Sequence, residues 1–169
     1  MKRTAFIPAV LLITALPTAA MASTPKLEGT HSDWSVYSRM SGADKVCYVV
    51  TEPKSKSPKN VNHGGVYFMV SNWRSGAATE QPSFLAGYPL KTTRTPKAKV
   101  GATKISMYGA DNEAFIEASS DEKKLVAKMR AGASMTVEAV SARGTETRYQ
   151  FSLKGITAAL KKAKSACAK

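Results

Sequence analysis

Short runs follow one another in which apolar residues alternate with polar ones or β-branched and aromatic residues crowd together, with Gly, Pro and Asn turns between them. The runs are "DWSVYSR", "KVCYVVTE", "GGVYFMVSNW", "VGATKISMYG", "EAFIEA", "SMTVEAVSARG" and "TETRYQFSL". Period two places successive side chains on opposite faces of a strand, so such runs can bury one face each and must pair with one another to do it. Met135, Val137 and Ala139 fall on one face, as do Tyr149, Phe151 and Leu153, and Arg143-Gly144 between them predicts a terminal hairpin. Ile105 and Met107 likewise share a side, and Asp111-Asn112 predicts a turn. Many short strands with turns between them predict a mainly β fold, a β-sandwich-like arrangement of antiparallel sheets.

Two segments keep a different period. "SSDEKKLVAKMRAG" offers Ser119 or Ser120 as an amino-terminal cap, acids early, bases late, Leu125 and Met129 four residues apart, and Gly132 as a stop. It predicts one short internal helix. The chain closes with "FSLKGITAALKKAKSAC", in which Lys154-Gly155 makes a corner and a C-terminal helix begins near Ile156. Ile156, Ala159, Leu160, Ala163 and Cys167 form its apolar stripe, while Lys161, Lys162 and Lys164 lie on the remaining face. A helix of about 12 residues is marginal alone in water, so it is expected to dock on a sheet.

Between these elements lie segments read as irregular. The residues before Trp34 form a polar lead; "PKSKSPKN", Pro53 to Asn60, has two prolines, three lysines and no core residue, and is expected to be an exposed loop. Arg74 to Phe84 is turn-rich, "GYPLK" suits an edge because Pro89 cannot donate a ladder hydrogen bond, and "KTTRTPKAK" is a second basic loop or edge.

The amino terminus, "MKRTAFIPAVLLITALPTAAMA", has the three parts of a secretory signal: Lys2 and Arg3, an apolar run from Ala5 to about Leu16, and small residues at Ala20 and Ala22. Residues 1–22 are therefore expected to be removed, leaving residues 23–169 as a single domain with no transmembrane segment. Of the 25 basic residues, loss of Lys2 and Arg3 leaves 23 against 12 acidic, a formal charge of +11. Such a surface attracts nucleic acid, anionic lipid or anionic polysaccharide, and export argues against nucleic acid. In an oxidising compartment the two cysteines, with no CxxC pair or positioned histidine to make either reactive, predict a disulfide between Cys47 and Cys167.

No catalytic constellation is written in the chain. GxSxG, HExxH and a phosphate-binding glycine fingerprint are absent from the sequence, His31 and His63 stand outside any close ligand motif, and no metal site or cofactor is expected. Glu113 and Glu117 are expected to share a strand face, a pairing better read as solubilising than as calcium-holding or acid/base. Charge is more informative. Between Lys45 and Lys104 ten basic residues face only Glu52 and Glu80. If the two basic segments converge, Lys54, Lys56, Lys59, Arg74, Lys91, Arg94, Lys97 and Lys99 form an anion-binding patch that Trp73 and Tyr88 could border. Trp34 and Trp73 are better read as packing residues.

The order of these features resembles the invasion-associated locus B family of secreted bacterial proteins. The resemblance runs through "DWSVYS", "CYVVTEPK", "GVYFMVS", "GYPLK" and "LVAKMRAGASMTVEAVSARGTETRYQFSLKGITAAL" to the closing cysteine, with Met129 through Leu160 its most specific part. It implies an exported protein of periplasmic, outer-membrane-associated or secreted location, with some members linked to host-cell entry, and it supports Cys47 and Cys167 as a pair. It brings no catalytic residues. The resulting expectation is a non-catalytic envelope protein that binds an envelope or host protein or an anionic glycan, with a structural or stress-related periplasmic factor as the alternative and an enzyme behind both.

Overall fold

The computed structural model describes residues 23–168, so the expected signal segment, residues 1–22, lies outside the described residues. In chain order the elements are β1 (Lys26–His31), β2 (Trp34–Ser41), β3 (Asp44–Thr51), β4 (Ser55–Ser57), β5 (Tyr67–Trp73), β6 (Gln81–Leu85) and β7 (Lys97–Val100), followed by β8 (Thr103–Ser106), β9 (Tyr108–Ala110), β10 (Glu113–Phe115), α1 (Ser119–Ala131), β11 (Ser134–Val140), β12 (Glu146–Ser152) and α2 (Ile156–Cys167). They form two antiparallel sheets, one of seven strands ordered β1-β2-β3-β5-β6-β10-β9 and one of five ordered β4-β12-β11-β7-β8. This is the expected β-sandwich-like fold with an internal and a C-terminal helix.

The inner faces meet through aromatic rings. Phe68 and Phe151 lie 5.8 Å apart between centroids, and Phe84 packs on Tyr149 at 5.5 Å, all four fully buried. Trp34 is also fully buried, and its indole N–H donates to the Ser152 carbonyl at 3.0 Å, so the largest side chain of one sheet is satisfied by the backbone of the other. Met135, Val137, Tyr149, Phe151 and Leu153 are buried as their alternation predicts. Helix α2 packs against β1, β2 and β3, and α1 against β6, β7 and β8.

Three strands stand where the sequence suggested irregular chain. "PKSKSPKN" contains β4, which needs no core residue because it is held on the rim of β12 by backbone bonds such as Lys54 N–H to the Gln150 carbonyl, 2.7 Å. The polar lead contains β1, an edge strand with a bulge between Leu27 and Gly29. The turn-rich stretch ends in β6, and its Pro82 is tolerated because β10 pairs only with Ser83 to Leu85, leaving one side of Pro82 without a neighbouring strand. "GYPLK" contributes only a bridge, Leu90 to Ser141.

Helix α1 also departs at its ends. Its cap is Ala118, which makes no side-chain capping bond, rather than Ser119 or Ser120. Gly132 stops it in an extended conformation, and the reason for glycine is space, since a Cβ there would stand 2.6 Å from Cγ1 of Val100. The carboxylates Glu113 and Glu117 do not share a strand face: β10 ends at Phe115, where Ile116 turns into the core.

Candidate functional site

The outer face of the five-stranded sheet is ionic because alternation forces it to be. Ala98, Val137 and Tyr149 point into the core, so their neighbours Lys97, Lys99, Glu138 and Arg148 must point out. In register, Glu138 stands between Arg148 on one side and Lys97 on the other. Its carboxylate accepts from Arg148 Nη2 at 2.8 Å and lies 3.7 Å from Lys104 Nζ, so one acid serves two cations. Arg94 reaches Glu146 at 3.3 Å. All these pairs are open to water, and exposed ion pairs are each worth about 0–1 kcal/mol.

The cations outnumber their partners. Among the described residues neither Lys97 nor Lys99 has a carboxylate within 4.0 Å, and Lys99 sits directly opposite Lys104 across the β7–β8 pair. Like charges placed opposite one another in a sheet are destabilising, so this corner of the face spends stability on positive potential. Beside it a shallow cleft of about 830 Å³ is lined by Ser57, Arg94, Lys97, Glu138, Glu146 and Arg148 among others. The cleft joins the two basic segments, since Ser57 belongs to "PKSKSPKN" and Arg94 and Lys97 to "KTTRTPKAK". Strands β4 and β7 are three spacings apart in that sheet, roughly 14 Å.

The eight patch residues named from the sequence divide accordingly. Arg94 and Lys97 line the cleft, Lys99 extends the same face, and Lys91 is tied beside it by its N–H to the Val140 carbonyl, 2.8 Å. Lys59 is exposed in the loop after β4. Lys54 is committed elsewhere, 2.6 Å from Asp33, whose carboxyl is held below its ordinary range first by the Lys54 hydrogen bond and then by Ser152. Lys56 pairs in register with the inward-facing Tyr149, and its Nζ donates to the Gly64 carbonyl at 3.4 Å, so it leans away from the outer face. Arg74 belongs to the other sheet, following β5 with its N–H on the Lys45 carbonyl. Arg148, Glu138 and Glu146 were not named, although the same alternation that places Val137 and Tyr149 inside places Glu138 and Arg148 outside.

Neither expected aromatic borders this cleft. Tyr88 faces the interior, where its hydroxyl lies 2.6 Å from Thr147 Oγ1 and 2.8 Å from the Tyr149 hydroxyl; Trp73 is on the seven-stranded sheet. Tyr149 in turn bonds Nδ1 of His63 at 2.8 Å, and Nε2 of His63 meets the Pro58 carbonyl at 2.8 Å. That carbonyl can only accept, so Nε2 carries the proton, and in the neutral ring Nδ1 accepts from Tyr149. His63 is thus a buried structural ring tying the 58–63 loop to β12, and burial pushes the Tyr149 phenol up from its usual range. A buried hydroxyl next to an imidazole carries no periodic sequence signal; only the fold brings positions 63, 88 and 149 together. Among the described residues no group of three or more His, Cys, Asp or Glu side chains could hold a metal ion.

Cys47 and Cys167 are joined, with Cα atoms 5.5 Å apart, tying the last turn of α2 to β3. The Lys45 ammonium donates to the Ala166 carbonyl at 2.7 Å beside the bond and caps the helix end.

Comparison with known proteins places these features. The family model described as "Invasion associated locus B (IalB) protein" matches residues 34–164. The crystal structure of invasion associated protein b from Bartonella henselae is similar to this chain with a TM-score of 0.55 at 14% identity, covering 87% of this chain and 100% of that one. At that identity the likeness concerns the fold. No curated protein matches this chain significantly.

Proposed function

This chain belongs to the invasion-associated locus B family, and from that premise we propose that it is an exported, non-catalytic cell-envelope domain that holds an anionic glycan or acidic protein on the outer face of its five-stranded sheet. Residues 1–22 act as the signal, and residues 23–169 form the mature domain in the periplasm, at the outer membrane or outside the cell. The observation that carries the reading is the outward row on β7 and β8, where Lys97, Lys99 and Lys104 exceed the acids that could neutralise them. Polyanions bind such a face by charge, with strong dependence on salt. A surface of a host cell, rich in anionic glycans, is one setting for it.

The test is retention of the mature protein on immobilised heparin. Replacing Lys97, Lys99 and Lys104 by Gln should move elution to markedly lower salt, whereas Arg74→Gln on the other sheet should shift it only as far as one lost charge does. Equal shifts per charge from both sets would reduce the face to bulk electrostatics and leave the domain a structural envelope factor.

A further inference from the structure

The outer face of the seven-stranded sheet is the opposite of the ionic one. Outward positions run in rows across the strands: Leu27, Tyr37 and Tyr48 in one, Val50, Met69 and Phe115 in the next. Tyr37 and Tyr48 stack with centroids 5.8 Å apart, Tyr108 leans on Phe115 at 5.9 Å, and Leu27 and Tyr108 remain 53% and 51% exposed. An antiparallel sheet with one solvated face is ordinarily polar there. Within its paired rows this one carries one cation, Arg39 on β2, and two anions, Asp44 at the start of β3 and Glu113 on β10.

We infer that two copies of this chain pair through this face. Charge selects the occupant. A mature chain of formal charge +11 repels its own copy over most of its surface, and this face, where Arg39 stands against Asp44 and Glu113, carries no excess of cations and is where two copies can approach without that cost. Asp44 is already engaged by the N–H and hydroxyl of Ser75, so the positions of Arg39 and Glu113 fix the geometry. Arg39 lies in register with Val46 and Trp73, Glu113 with Leu85 and Tyr67, so they stand four strands and six residues apart, at diagonal corners. Four spacings are about 19 Å and six residues about 20 Å, so the line between them runs at about 45° to the strands. A two-fold axis in the plane, perpendicular to that line, sets Arg39 of each copy over Glu113 of the other. It also crosses the strands of the two sheets at about 90°, one of the two ways sheets pack face to face. The axis passes near Met69, at the middle of β5. The 40 residues of the seven strands project about 630 Å² at about 3.3 by 4.8 Å each, and more as corrugated surface, on the scale of the about 800 Å² that a standard interface takes from each partner.

Such a dimer turns both ionic faces outward on opposite sides, about 30 Å apart across four sheet layers, and so makes the assembly bivalent. The bivalence rests on the anion-binding reading, but the pairing does not: heparin retention tests the first and mass the second.

Sedimentation velocity of the mature protein over a concentration series decides the pairing. The weight-average mass should rise from one chain toward two. Arg39→Glu should weaken the association by about tenfold, and Arg39→Glu combined with Glu113→Arg should restore it. Met69→Lys, with an unchanged circular dichroism spectrum, should leave a monomer; should that variant misfold, the swaps at exposed Arg39 and half-buried Glu113 still decide. A wild-type chain that stays monomeric throughout overturns the inference, as does a double swap no tighter than the single one, and a monomer that binds neutral lipid vesicles would give the face to a membrane instead.

Discussion

The two helices are nearly equal in length, 13 residues in α1 and 12 in α2, and both are too short to stand alone in water. They are held by different means. Helix α1 drives Leu125, Val126 and Met129 into the core and needs no further fastening. Helix α2 buries Ile156 and Leu160 but otherwise presents Ala159, Ala163 and Ala166, which let it lie close to β1, β2 and β3 and contribute about one methyl of burial apiece. Its far end is fixed by the Cys47–Cys167 bond and by Lys45 on the Ala166 carbonyl. Their starts differ as well. Ala118 opens α1 in an exposed, extended conformation that any residue adopts, whereas Gly155 opens α2 at φ 93°, where an added Cβ would stand 2.0 Å from the His31 carbonyl oxygen. A small-residue face obtains closeness at the expense of adhesion, and a covalent bond makes up the difference.

The contrast can be broken experimentally. Cys47→Ala with Cys167→Ala should lower stability by about 4–5 kcal/mol on the chain-entropy account, read as a fall in denaturant midpoint. Amide exchange should then rise first in α2; equal loss of protection in α1 would erase the distinction. Leu125→Ala should cost about 3 kcal/mol and loosen α1, while Leu160→Ala, of similar cost, should leave the Cys167 end of α2 protected unless the disulfide is also removed. Gly155→Ala should cost about 1–3 kcal/mol through left-handed strain, more if His31 cannot retreat, as measured by thermal melting. Ala118→Ser should do the reverse, adding about 1 kcal/mol by supplying the capping bond that α1 lacks.

These helices were also the most legible elements. Leu125 with Met129, and Ile156 through Cys167, announce themselves because a helix writes its buried face into local spacing. The strands with buried alternation, β2, β3, β5, β11 and β12, were equally readable. Those that failed share a cause: β4 and β1 are rim strands held by backbone bonds, which leave no mark on side-chain choice, and Pro82 disguised β6. The candidate face was half legible. Lys97 and Lys99 follow from the basic run, but Arg74 is separated from them by a change of sheet, and Lys56 by the inward phase of a strand three residues long. The partnership of Glu138 with Arg148 and Lys104 needed the register, which sequence spacing alone does not supply.

One consequence of the disulfide concerns time rather than energy. Its two sulfurs are 120 residues apart in the chain. At about 5–20 residues per second, synthesis reaches the second cysteine about 6–24 s after the first. Throughout that interval Cys47 is a thiol without its partner, and α2 does not yet exist to shield it. The bond is therefore a record of progress: a chain cut short anywhere before residue 167 keeps Cys47 as an unpaired thiol, and a closed one has been made at least as far as residue 167.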